Sequence, residues 1–304
     1  MTSDEQTDEY GVAAPGHRLP SRTRGGRVRL RVADLDRSLE WYGQVLGMRE
    51  LARGAGRAAL GAVGSDTPLV ELTERAGVAP PPPGGRPGLY HFALLLPARA
   101  ALGSFLGHLS DVGERPGASD HLVSEALYLS DPDGLGIEVY ADRPRDRWRH
   151  RAGELVMATA PLDVTDLLRS AEGEAWTGLP NGTAMGHIHL HVGDLDRASS
   201  FYHEALGLDR VVWSYPGALF LSAGGYHHHL GLNTWARTAD PAGEDEAGLV
   251  EWELVLPSAS DVERARRALE SAGDPVEAAN SGIVTRDPWG TRLRLRPEES
   301  VGGG

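Results

Sequence analysis

Two residue types are missing altogether. The 304-residue chain has no cysteine, which excludes a disulfide framework, a thiolate nucleophile, an iron–sulfur cluster and any cysteine-type zinc site. It has no lysine either, so all 30 basic residues are arginine, and Schiff-base chemistry and a P-loop lysine fall away together. Any metal has to be held by His, Asp or Glu. Aromatic residues are scarce at 6%, and no apolar run approaches the roughly 18 residues that a membrane helix needs. Positive charge is in deficit: Lys and Arg total 30 against 43 for Asp and Glu, a net charge of −13, with no basic run that would track a phosphate backbone. The expected partners are small molecules, not nucleic acid or membrane. The first 24 residues lack the apolar stretch of a signal peptide. They are read as a disordered tail over 1–24 of a cytoplasmic protein, and residues 299–304, ending in three glycines, as a second disordered tail.

What is present, in a chain with 40% hydrophobic residues, is a repeat. VRLRVADLDRSLEWYGQVLGM from Val28 returns as IHLHVGDLDRASSFYHEALGL from Ile188, an offset of 160. GLYHFALLLP from Gly88 and GLVEWELVLP from Gly248 share that offset, while SDPDGLGIEV from Ser130 and RDPWGTRLRL from Arg286 differ by 156. Internal repetition of this kind decides the architecture before any single element does. Two units, 25–141 and 186–298, are expected, joined by a linker over 142–185. Inside each, a period-2 strand leads through an Asp-bearing turn into an amphipathic helix and then into shorter strands set off by Gly and Pro. Asp34, Asp36, Asp194 and Asp196 sit where helix N-caps belong. Leu39, Tyr42, Val45 and Leu46 recur at helical spacing until Gly47. The chain therefore reads as four βαβββ modules, beginning near Arg27, Leu89, His187 and Leu249, an α+β fold class.

These motifs resemble the vicinal oxygen chelate superfamily of glyoxalase I, bleomycin-resistance proteins and extradiol dioxygenases, over roughly residues 25–296. GLYHFALLLP, SEALYLSDPDGLGIEVYADRP, GHIHLHV and LSAGGYHHHLGLNTW are similar to catechol-2,3-dioxygenase-like proteins of the four-module bacterial type. The resemblance implies two open, curved, mixed β-barrels with helices outside, and a divalent metal held by residues of the first and last strands of paired modules. Aligned on that pattern, the first strands offer Arg27, His91, His187 and Glu251. The last strands offer Glu71, Glu138, one of the histidines at 227–229, and Arg294. If modules adjacent in sequence pair, neither barrel collects three ordinary ligands. If the middle two pair with each other, within a chain or between chains, His91, Glu138 and His187 form a 2-His-1-carboxylate set of the kind used by non-haem Fe(II) oxygenases. Arg27, Glu71, Glu251 and Arg294 then meet in the other barrel as two cations against two anions.

Around that triad, strand alternation puts His227 and His229 on one face and His228 on the other; His229 is the expected acid/base or O₂-orienting residue, with His227 second. The resemblance assigns a second histidine and a tyrosine upstream of the ligand Glu, here His121 and Tyr128. Trp235 is expected to line the pocket, whereas Trp41, Tyr42, Phe201 and Tyr202 are expected in the core. DPDG from Asp131 reads as a turn rather than a calcium loop. The function expected is an Fe(II)-dependent extradiol dioxygenase that opens a catechol-type ring with O₂ as co-substrate. Mn(II) suits the same ligands, and a homo-oligomer is expected by analogy with the family. Two alternatives stand beside it: a metal-dependent glyoxalase- or epimerase-type enzyme with a fourth ligand at His229, and a metal-free small-molecule binder of the antibiotic-resistance kind.

Overall fold

The computed structural model describes residues 10–299. The first module runs β1 (Arg24–Val32), α1 (Leu35–Gln44), β2 (Arg49–Gly54), β3 (Arg57–Gly61) and β4 (Pro68–Glu74). The second runs β5 (Gly88–Leu95), α2 (Arg99–Asp111), β6 (Gly117–Asp120), β7 (Ser124–Ser130) and β8 (Gly136–Asp142). A connecting segment holds the short hairpin β9 (His150–Arg151) and β10 (Glu154–Leu155), then α3 (Val164–Ser170). The third module has β11 (Ala184–His191), α4 (Leu195–Ser199), which widens into a π-helical turn over Ser200–Ala205, β12 (Asp209–Val212), β13 (Ala218–Ser222) and β14 (Leu230–Asn233). The fourth has β15 (Gly248–Leu256), α5 (Ala259–Ala272), β16 (Val276–Ala279), β17 (Gly282–Arg286) and β18 (Arg292–Pro297).

Hydrogen bonding joins these into two mixed sheets of eight strands, ordered β16-β17-β18-β15-β1-β4-β3-β2 and β12-β13-β14-β11-β5-β8-β7-β6. Each sheet is shared by the two halves of the chain. The outer modules, first and fourth, meet where β1 runs antiparallel to β15 with Arg29 opposite Glu251; the inner modules meet where β11 runs antiparallel to β5 with His189 opposite His91. The seam is apolar in one direction only, because side chains alternate across a strand. Val28, Leu30 and Val32 of β1, and Ile188 and Leu190 of β11, join one continuous buried cluster with Tyr42, Phe201 and Tyr202 of the helices. The alternate residues point to the concave faces, and there the two sheets part company.

The helices start and stop as their sequences dictate. Asp34 and Asp194 accept hydrogen bonds from the backbone N–H of Arg37 and Arg197, which satisfies donors that have no partner inside the helix. Beyond α1, Gly47 takes φ +66, a left-handed turn that residues with a Cβ adopt reluctantly. Tyr42 reaches from α1 to Asp131, in the turn after β7, at 3.1 Å, and Tyr202 makes the equivalent contact to Asp287, after β17, at 2.9 Å. Each tyrosine thereby staples a module of one sheet to a module of the other.

Two expectations need correction. Residues 10–23, read as part of a loose tail, are tied down against the third module: Leu19 is buried, its N–H donates to Gly207 O at 2.8 Å, and Arg18 pairs with Asp209 at 2.7 Å. Val12 and Arg210 also exchange backbone hydrogen bonds of 2.8 and 3.0 Å, so main-chain pairing adds to the apolar anchor and the ion pair in a segment whose composition looks unstructured. Residues 1–9 and 300–304, the remainder of the two expected tails, lie outside the described residues. The linker over 142–185 is likewise more than a connector. Beyond β10 it crosses the open face of the inner sheet, with Ala160 and Asp120 exchanging backbone hydrogen bonds of 2.9 Å. Among the described residues, no helix is long and apolar enough to cross a membrane.

Candidate metal centre

β5, β8 and β11 deliver His91, Glu138 and His187 to the concave face of the inner sheet, all three buried. Glu138 Oε2 lies 3.0 Å from His91 Nε2 and 3.2 Å from His187 Nε2. Ligand atoms around one ion with bonds of about 2.1 Å stand about 3 Å apart across right-angled positions, so these two spacings fit neighbouring positions around a single ion, and all three candidate ligand atoms lie within 4.8 Å of one another. His91 Nε2 approaches the carboxylate without hydrogen-bond alignment and is otherwise unpartnered, and His187 Nδ1 is buried with no partner. Burial pushes both imidazoles below the ordinary histidine range, which keeps them neutral, the form that binds metal. Burial alone would push Glu138 up, but the adjoining imidazoles outweigh it and hold the carboxyl well below its usual range. The donor set, two neutral imidazoles and one carboxylate, therefore fits Fe(II) or Mn(II) and leaves one side open.

That open side faces a cavity of about 400 Å³. Its floor is the triad with His189 and His228; Tyr90, Phe220, Tyr215 and Trp235 form much of its wall. Met157, Ala158 and Thr159 of the connecting segment line it as well, and Thr159 Oγ1 is 3.1 Å from Tyr215 Oη. His121 and Tyr128 line the same space. His121 Nδ1 donates to Ala158 O at 2.8 Å, since a carbonyl only accepts; its Nε2 then accepts from Tyr128 Oη at 2.6 Å. Burial and the nearby Glu138 charge raise the Tyr128 phenol well above its ordinary value, so it stays a donor.

The histidine run is placed differently from the expectation. β14 starts only at Leu230, and residues 227–229 form a bend after the turn at Gly224 and Gly225. Strand alternation does not carry through a bend. His228 is the member that lines the cavity, its ring centroid 4.1 Å from that of His187. His229 turns the other way, Nδ1 lying 3.2 Å from Ser222 Oγ and from the backbone N of Ala223, and His227 faces Asp142 at 2.9 Å. Neither His227 nor His229 borders the cavity.

The residues missed were His189, His228 and Tyr90. For His189 a signal existed: in HIHLH from His187 the imidazoles alternate with Ile and Leu, which puts His187, His189 and His191 on one face. Asn233 fixes this row. Its Oδ1 accepts from Trp235 N–H at 3.1 Å and from His191 Nδ1 at 2.6 Å, so its amide nitrogen is the atom 3.0 Å from His189 Nε2. His189 therefore accepts there and carries its proton on Nδ1.

The same positions in the outer sheet hold Arg27, Glu71, Glu251 and Arg294, which meet as ion pairs: Arg27–Glu71 at 2.5 Å and Arg294–Glu251 at 2.7 Å. The profile of the Glyoxalase/Bleomycin resistance protein/Dioxygenase superfamily matches residues 24–139 and 184–295. The chain belongs to this superfamily. A catechol-2,3-dioxygenase of Bacillus subtilis (strain 168) is 45% identical over 267 residues, 86% of this chain and 93% of that protein. Among solved structures, a putative dioxygenase from Bacillus subtilis has a TM-score of 0.62 at 15% identity, covering 92% of this chain and 86% of that one. A mutant glyoxalase I from Zea mays has a TM-score of 0.54 at 19% identity, covering 90% and 92%. At these identities the structural likeness speaks to the superfamily fold alone.

Proposed function

We propose that the chain is an Fe(II)-dependent extradiol dioxygenase, which opens a catechol-type ring beside its two hydroxyls and places both atoms of O₂ in the product. The observation that supports this reading is the convergence of three groups able to ligate a metal, His91, Glu138 and His187, beside an aromatic-walled cavity. Fe(II) at this site would supply a centre at which both catechol oxygens and O₂ bind and through which electrons pass from the ring to O₂. Mn(II) suits the same ligands.

The chain's own residues do the rest. Tyr90, Phe220 and Trp235 offer flat apolar surface for the ring and exclude water from it. His228 presents an imidazole to the cavity where a hydroxyl proton has to be received, a role that passes to it from His229. Tyr128, its O–H engaged by His121 Nε2, presents an oxygen lone pair that accepts from a substrate hydroxyl, and His121 behind it holds or receives the Tyr128 proton at Nε2. Among the described lining residues there is one carboxylate and no guanidinium, which suits an uncharged catechol better than one bearing an acid group.

The glyoxalase-type reading needs a fourth ligand. The last-strand position that holds Glu71 in the outer sheet is Gly231 here, opposite His189, and His229 faces away, so the observations favour the three-ligand reading. The test is oxygen uptake and formation of a yellow ring-fission product by protein loaded anaerobically with Fe(II). Turnover of catechol or an alkylcatechol is expected; inertness across such a panel would refute the proposal.

A further inference from the structure

Behind the cavity wall runs a line of hydrogen bonds that the proposed reaction has not used. Asp142 closes β8 with its side chain 28% exposed, and its Oδ1 lies 2.9 Å from Nε2 of the fully buried His227. His227 turns Nδ1 to His228 Nδ1 at 2.7 Å, and His228 lines the cavity. Tyr226 donates to the same Asp142 oxygen at 3.2 Å. The line thus begins at the protein surface and ends beside the candidate metal ligands.

With one proton assigned to each imidazole, donor and acceptor roles along it follow one from the next. A carboxylate only accepts, so His227 donates Nε2–H to Asp142. With that one proton assigned to the fully buried His227 ring, Nδ1 is left with a lone pair, and the contact to His228 requires His228 to donate Nδ1–H. With Nδ1 so engaged, Nε2 of His228 is the nitrogen left for the cavity, and it carries a lone pair. Were the pair reversed, the same imidazole would offer the cavity a proton instead of an acceptor.

We propose that Asp142 and His227 are positioning residues: they hold His228 in its Nδ1–H tautomer, so that an acceptor nitrogen awaits the hydroxyls of the bound catechol. The role toward a catechol rests on the dioxygenase reading; the tautomer does not. Neither residue touches the substrate. Asp142 acts through His227, and His227 through His228.

Full-length protein carrying ¹⁵N-labelled histidine and loaded with diamagnetic Zn(II) distinguishes the two tautomers by two-bond ¹H–¹⁵N correlations, a His228→Gln variant assigning the signal. A single Nδ1–H form of His228 is expected in the unaltered protein, and a mixture or the Nε2–H form in Asp142→Ala. Tyr226→Phe, which removes a different hydrogen bond from the same carboxylate, is expected to keep Nδ1–H. With Fe(II) and catechol, Asp142→Ala is expected to lower kcat by about 10²-fold, within the range of general acid–base effects, and to leave KM nearly unchanged. An Nε2–H form in the unaltered protein, or an Asp142→Ala spectrum identical to it, overturns the proposal. So does an equal shift in Tyr226→Phe, which would reduce the effect to packing. If the tautomers behave as expected while no catechol is consumed, the dioxygenase reading fails and the positioning pair stands.

Discussion

The two sheets share one backbone plan and differ in what they turn inward. Where the inner sheet places His187, His189 and His191 along β11, the outer sheet places Arg27, Arg29 and Arg31 along β1; opposite them stand His91 and Ala93 in one case and Glu251 and Glu253 in the other. The outer face neutralises its own charges. Glu253, with no exposed side-chain surface, takes Arg27 at 2.8 Å and Arg296 at 2.9 Å, while Glu71 takes Arg29 at 2.6 Å. Long guanidinium arms matched to buried carboxylates satisfy one another. Short imidazoles with a single carboxylate cannot, and they leave a cavity together with buried ring nitrogens that lack partners. Side-chain length and charge matching, not strand layout, thus separate a self-neutralised face from one prepared for a ligand.

The sharpest way to break this contrast is to remove one carboxylate from each sheet. Glu138→Gln in the inner sheet is expected to abolish stoichiometric metal and to lower ring-opening activity by at least about 10³-fold, since an amide replaces the one anionic ligand. Metal analysis and oxygen uptake check this; full metal occupancy in the variant would remove Glu138 from the ligand set. Glu253→Gln in the outer sheet is expected to do the reverse. It leaves Arg27 and Arg296 facing each other without a shared anion, at a cost of about 3–5 kcal/mol, while metal content per folded protein stays unchanged. Denaturant titration measures the first quantity. A loss under about 1 kcal/mol, the scale of exposed pairs, would mean that the outer network is spectator to the fold.

The staples between the sheets give a third, smaller contrast. Burial raises Asp131 to about 6, against the pull of its backbone hydrogen bonds and of Tyr42, and burial raises Asp287 as well. A carboxyl whose folded value lies above its unfolded one binds protons better when folded. Its contribution is therefore complete below the unfolded value of 3.8 and is lost as pH rises through about 6. The size is on the order of 3 kcal/mol. Asp131→Asn is expected to flatten the fall in thermal midpoint between about pH 4 and pH 6; equal slopes in both proteins would assign the fall to other groups.

Much of this was legible because the repeat supplies its own alignment. Once Val28 and Ile188 are in step, His91, His187, Glu251 and Arg27 fall at equivalent positions, and their charges alone indicate which modules belong together. The inner seam of β5 and β11 and the outer seam of β1 and β15 follow that indication. What escaped was geometry outside the strands. His228 is not legible because the bend at 227–229 interrupts the alternation of β14. The segment over the cavity escaped because its contact to His121 is made by the carbonyl of Ala158, and a backbone oxygen leaves no trace in the identity of a residue. Tyr10 to Thr23 escaped because Leu19 is an isolated anchor among polar residues.

Gly231 tests the contrast most finely, because it is where one sheet has a carboxylate and the other has no side chain at all. Its absent Cβ is used: a Cβ there would stand 2.9 Å from His189 Cγ and 3.0 Å from His189 Nδ1, closer than packed atoms tolerate. The imidazole lies flat against β14 only because that position is empty, and in that place its Nε2 accepts from Asn233. Gly231→Ala is therefore expected to tilt His189 and break the Asn233 contact. The stability cost should be about 1–3 kcal/mol, the usual range for overpacking. Because His189 borders the cavity without belonging to the triad, KM for a catechol should rise several-fold, an effect of about 1 kcal/mol, while metal content holds. Loss of metal in Gly231→Ala would mean instead that the empty position serves the ligand geometry directly, and that the openness of the inner sheet begins at β14 and not at the histidines.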